Sequence, residues 1–221
     1  MAKATLTQAR ALSAAIALAD EDGLPAVTMR RLAKELGVEA MSLYHHIPNK
    51  EALLDAMVDQ VYCEVDLPKP GEAWRPAMRN RAESLRAALV RHPWAVGLLD
   101  SRTSPGPETL RHLDANIRCL RENGFSWGMT AHAYSVLDAY VFGFAVQQVQ
   151  MPFETPTETQ DLAAGLIEEM AGAFPHLSEF AVQHVMKPGY DYGGEFDFGL
   201  NLVLSGLERA LVGGGLESPV A

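Results

Sequence analysis

Ser42, Tyr44, His45 and His46 stand almost side by side, shortly after a basic group made of Arg30, Arg31 and Lys34 and just before Lys50. These residue types suit a nucleic-acid duplex. The hydroxyls of Ser42 and Tyr44 and the ring nitrogens of His45 and His46 can bond phosphate oxygens or base edges, while Ala40 and Met41 can touch thymine methyls. The fixed charges answer the phosphates. No comparable grouping points to catalysis. The chain contains no HExxH, nucleophile elbow or phosphate loop, and His132 and Asp138, imaginable as an acid and a base, are spaced so that a helix puts them on different faces.

The elements that must carry these side chains are legible around them. Thr28 is placed to cap a helix over residues 29–36, with Met29, Leu32, Ala33 and Leu36 forming an apolar face at i, i+3, i+4 and i+7. Gly37 supplies a sharp turn, because glycine takes a positive φ without a Cβ penalty. Val38 plugs the angle, and a second helix over residues 39–47 is held by Leu43 and Ile47. Asn49 caps the next helix, whose first turn holds Lys50. An ordinary αα-hairpin with a solvated basic face would read similarly, and His46 has two readings, phosphate contact or packing on the first helix.

The run from Ala11 to Val61 narrows the choice. Its cluster Thr28-Met29-Arg30-Arg31-Leu32-Ala33, then Leu36-Gly37-Val38, then Leu43-Tyr44-His45-His46-Ile47-Pro48-Asn49-Lys50-Glu51-Ala52-Leu53-Leu54, resembles the N-terminal domain of the TetR family of transcriptional regulators without a gap in spacing. The resemblance implies an all-α homodimer that binds double-stranded DNA at an inverted-repeat operator and releases it when a small-molecule inducer enters the C-terminal domain, repression being the commoner mode. It also implies Ser42, Tyr44 and His45 near base edges or backbone, and Thr28, Arg30, His46 and Lys50 at phosphates. Met29, Ala40 and Met41 depart from the family's frequent polar residues, so the operator sequence is not legible.

The formal charge of −10 seems at odds with DNA until its distribution is considered. Up to Lys50, six basic residues (Lys3, Arg10, Arg30, Arg31, Lys34, Lys50) face five acidic ones (Asp20, Glu21, Asp22, Glu35, Glu39), a net of +1 that leaves −11 for the remainder. A DNA-facing end with an acidic body has this asymmetry. With only Cys63 and Cys119, no metal or redox pair is suggested, no cofactor is implied, and a reducing, cytoplasmic setting is expected. The apolar run over residues 11–19 could be read as an export signal, but its hydrophobicity continues at helical spacing to Leu24. No stretch approaches a membrane span.

Read in order, the rest is helical. The expected organisation is a three-helix helix-turn-helix domain over residues 1–49, a connecting helix within 50–67, a ligand-binding and dimerisation domain over 68–212 and a loose tail over 213–221. Helices are expected over residues 8–22, 50–65, 74–91, 94–100, 107–123, 127–150, 175–186 and 195–212, with a capping box at Thr155-Pro156-Thr157-Glu158 opening another to residue 173. Those over 127–150 and 195–212 are apolar on most of their circumference, which a second subunit would cover, with Gly143, Gly199 and Gly206 allowing close helix contact. Polar or aromatic residues on apolar helices, namely His112, Trp127, His132, Asp138, Phe142, Gln147, His176 and Phe180, are the ligand candidates, each with core or interface as its alternative. A helical dimerisation or small-molecule module that binds no specific DNA is the rival function. A metal sensor using His176 and His184 lacks the further donors of a tetrahedral site.

Overall fold

The computed structural model describes residues 6–99, 105–151 and 172–213. The expected capping box at Thr155-Pro156-Thr157-Glu158, most of its helix and most of the tail lie outside the described residues, as does Asp100 at the end of the expected 94–100 helix. Among the described residues every regular element is a helix and there is no strand. The first four are α1 (Gln8–Asp22), α2 (Met29–Leu36), α3 (Ala40–Tyr44) and α4 (Lys50–Tyr62). Thr7, Thr28 and Asn49 cap α1, α2 and α4 with their side-chain oxygens, each accepting the N–H three residues on. Gly37 ends α2 at φ 65°, the left-handed conformation the turn requires.

Two helix ends in the N-terminal part come three residues earlier than expected. The helix containing the DNA-facing polar residues stops at Tyr44 rather than residue 47, because Pro48 disfavours a helical conformation at Ile47. His45 and His46 continue it as a tightened turn, with the N–H of His46 bonded to the Leu43 carbonyl at 3.0 Å. Likewise α4 ends at Tyr62, and residues 63–65 follow with i→i+3 bonds, which carry the chain to the buried Val65.

Beyond the turn at 66–73 lie α5 (Trp74–Arg91), α6 (Ala95–Leu99), α7 (Pro107–Glu122) and α8 (Trp127–Val149), the last capped by Ser126. A short helix α9 (Pro175–Phe180) runs directly into a wider π-turn (Ala181–Val185), so the helix expected over 175–186 is present but widened in its second half, and α10 (Glu195–Gly213) closes the described chain. In the reading domain α1 packs on α2 and α4, and α2 on α3; in the body α5 and α8 form the central pair, flanked by α7 and α10. α4 packs against α1 as well as α5, α6 and α7, so it belongs to both halves, and one continuous apolar core runs through them.

The two strongly apolar helices leave part of their surface uncovered within one protomer. Phe198 is 67% and Leu202 58% exposed on α10, and Val136 is exposed on α8. A Cβ at Gly143 or Gly206 would meet nothing within 4 Å, so both glycines face outward. Gly199 differs: the ring of Tyr140 from the same chain fills the space beside it, bringing α8 and α10 together within the protomer.

Candidate nucleic-acid interface

The reading end is built on two anchors. Leu43 and Ile47 are buried, which fixes α3 against α2 and turns Met41, Ser42, Tyr44, His45 and His46 outward. Met41 is 70% exposed, while Ala40 packs partly against the core. Met29 is buried, so it forms part of the domain's interior rather than its reading face. His46 is exposed, as a phosphate contact requires. On α2, which packs against α3, Thr28, Arg30, Arg31, Lys34 and Glu35 line an open depression. Arg31 is paired with Asp22 of α1, leaving Arg30 and Lys34, one turn apart, as the α2 cations most available to a phosphate. Lys50, exposed in the first turn of α4, adds a third.

The ligand candidates do not converge as a set. Those on α8 are strung along its length, with Trp127 and Gln147 near opposite ends and about 30 Å apart by the rise per residue. Trp127 is exposed under the Arg121 guanidinium, 4.3 Å from its ring centre, and His132 is exposed. Phe142 is half-buried, and Gln147, also exposed, accepts a hydrogen bond from Tyr192. His176 and Phe180 are exposed on and at the end of α9, where Phe180 lies against His184.

Two candidates do meet, around a residue the sequence reading passed over. Arg81 on α5 is only 2% exposed, and its guanidinium lies 2.7 Å from Asp138. The same guanidinium is 5.5 Å from the Tyr134 ring centre, and His112 lies against Tyr62, their ring centres 5.5 Å apart. Asn116 is buried one turn beyond His112 on α7. Burial first, and the Arg81 charge second, lower the His112 pKa, whereas burial and then Asp138 raise those of Tyr62 and Tyr134. Arg81 Nε, His112 Nδ1 and both amide atoms of Asn116 are buried without a hydrogen-bond partner among the described residues. The Arg81–Asp138 contact is ionic but too poorly aligned for a hydrogen bond at Asp138 Oδ1. A signal for Arg81 was available: it falls within the apolar stripe of Met78, Ala82 and Leu85, where a charge needs an explanation.

Comparison with known proteins bears on both halves. Residues 11–57 match the bacterial regulatory proteins of the tetR family, and residues 67–211 match the tetracyclin repressor-like C-terminal domain. The chain belongs to the TetR family of transcriptional regulators. The regulator is 33% identical over 216 residues to the HTH-type transcriptional repressor DrrR1 of Streptomyces coeruleorubidus, covering 93% of this chain and 78% of that one. It is also 33% identical over 148 residues to the tetracycline repressor protein class D of Escherichia coli, covering 66% and 67% of the two chains. Among solved structures it is similar to the Streptomyces coelicolor TetR family protein ActR in complex with actinorhodin, at a TM-score of 0.75 and 29% identity, over 94% of this chain and 99% of that one. The family is one of regulators rather than enzymes. Among the described residues no helix is long and apolar enough to cross a membrane, and no three His, Cys, Asp or Glu side chains are grouped to hold a metal.

Proposed function

We propose that this regulator is a homodimeric transcriptional repressor, working in the cytoplasm, that binds an inverted-repeat operator and is released from it by a small molecule held in the C-terminal domain. The observation that carries the reading is the exposed polar face of α3, packed on the helix that carries the Arg30 and Lys34 cations, on a chain whose two segments match the two domains of the family. Ser42, Tyr44 and His45 serve as readers of bases or nearby backbone, and Thr28, Arg30, His46 and Lys50 hold phosphates. Domain limits at residues 49, 67 and 212 are the corresponding organisation, with α4 as the connection. The buried group of Arg81, Asp138, His112 and Asn116 forms the polar floor of the ligand site, supported by its unpartnered atoms: a buried polar group without a partner is costly, and a ligand offering both donors and acceptors offsets that cost.

The dimer covers the apolar faces of α8 and α10, with Val136, Phe198 and Leu202 against a second copy. A two-fold axis there sets the two α3 helices about one helical turn of DNA apart, or a multiple of it. The test is selection of duplexes from a random DNA pool, followed by binding of the enriched duplex across a salt series. An inverted repeat with a steep salt slope is expected. A folded dimer, refolded to strip any bound small molecule, that enriches no sequence would overturn the reading in favour of a module that binds no specific DNA.

A further inference from the structure

The reading domain and the body share α4, and one α4 side chain belongs neither to the DNA face nor to the group around Arg81. Asp59 is half-buried, and its carboxylate accepts the backbone N–H of Thr109 at 2.8 Å, that of Glu108 at 3.2 Å and the Thr109 hydroxyl at 3.1 Å. Both backbone N–H groups lie in the first turn of α7, a helix whose own N-cap is Gly106 and therefore has no side chain to cap it. A carboxylate placed there satisfies N–H groups that have no partner inside the helix and complements its positive end. The position is shaped for it: a Cβ at Gly106 would collide with the Asp59 carboxylate.

One turn beyond Thr109, α7 presents His112, close enough to Arg81 to feel its charge, and one further turn along the same face brings the buried Asn116. At 1.5 Å per residue the capped turn and His112 are about 5 Å apart along one rigid helix. Apolar contacts between helices can slide by fractions of an ångström, whereas three hydrogen bonds to one carboxylate must hold or break. On its far side the reading domain is fixed to the body as well. Asp20 of α1 accepts from Trp94 Nε1 at 2.6 Å and lies 2.8 Å from His92 Nδ1.

We propose that Asp59 is the positioning residue that couples the two sites: a ligand that displaces α7 at His112 and Asn116 draws α4 with it through Asp59, and the reading domain turns about its Asp20 attachment. The inference rests on the ligand-floor reading given above, but its test does not need the ligand. Coupling free energy is reciprocal, so operator DNA bound at α3 must alter the first turn of α7.

The experiment is hydrogen–deuterium exchange of the backbone at residues 108–112 in the full-length dimer, with and without the enriched operator duplex, in wild type, Asp59→Ala, Gly106→Ala and Thr109→Val. In wild type the duplex is expected to change exchange in that turn by about fivefold or more. Asp59→Ala and Gly106→Ala, which remove or displace the carboxylate, lose that change while still binding the duplex; Thr109→Val, which spares the backbone bonds, keeps it. A wild type that binds the duplex with no change in α7, or an Asp59→Ala protein that retains the change, overturns the coupling. Binding of no duplex at all overturns the regulator reading and the coupling with it. Should the coupling hold while Asn116→Ala leaves every ligand response intact, only the location of the ligand floor fails.

Discussion

Arg30 and Arg31 are adjacent in sequence but differ in circumstance. Arg31 is tied to Asp22, whereas Arg30 shares the side of α2 that carries Lys34. Arg30→Ala is therefore expected to weaken binding about equally across duplexes and to make the salt slope shallower by about one, with Arg31→Ala smaller on both counts; Ser42→Ala and His45→Ala instead shift sequence preference. A binding titration on several duplexes at several salt concentrations measures all four. At the other end of the molecule His112 has a testable titration. Its folded-state pKa lies below the unfolded value, so the unfolded chain takes up the proton first as pH falls. The associated stability is whole above about pH 6.5 and is lost progressively below it. Urea midpoints at pH 7.5 and 5.5 are expected to differ less in His112→Gln than in wild type.

At the scale of elements, α3 is too short to persist by itself, and its place depends on Leu43. Leu43→Ala is expected to cost about 2–5 kcal/mol in chemical denaturation, as for other buried leucines, while Met41→Ala, at an exposed position, stays within about 0.5 kcal/mol. Local capping fixes the starts of four helices: Thr7, Thr28, Asn49 and Ser126 each accept an N–H as their residue types imply. The first turn of α7 is capped from a distance instead. Its carboxylate comes from α4, far away in the chain, and no local pattern around Gly106 announces it.

For the whole molecule, the uncovered apolar surface of α8 and α10 argues for a pair of chains. Leu202→Glu places a charge where that surface would be buried, and the expected outcome is a mainly monomeric protein in analytical ultracentrifugation, with operator affinity reduced because two half-sites are no longer held together. The same change leaves the helical content of each chain intact in circular dichroism. Retained dimer at micromolar concentration would place the interface elsewhere.

Local physics made most of the reading domain legible in advance: the apolar spacing of Met29, Leu32, Ala33 and Leu36, the glycine turn at Gly37 and the caps at Thr28 and Asn49 act over a few residues, and the structure has each of them in place. The exposure of Ser42, Tyr44, His45 and His46 followed from the same spacing, because burial of Leu43 and Ile47 leaves them no other direction. Convergence was not legible. Polar residues on apolar helices looked equivalent in the sequence, and only tertiary packing separated His112 and Asp138, gathered around Arg81, from Trp127, His132 and His176, which face outward. Helical periodicity specifies which residues share a face; it does not specify which face of another helix they will meet, and that is decided by how α4, α5, α7 and α8 pack together.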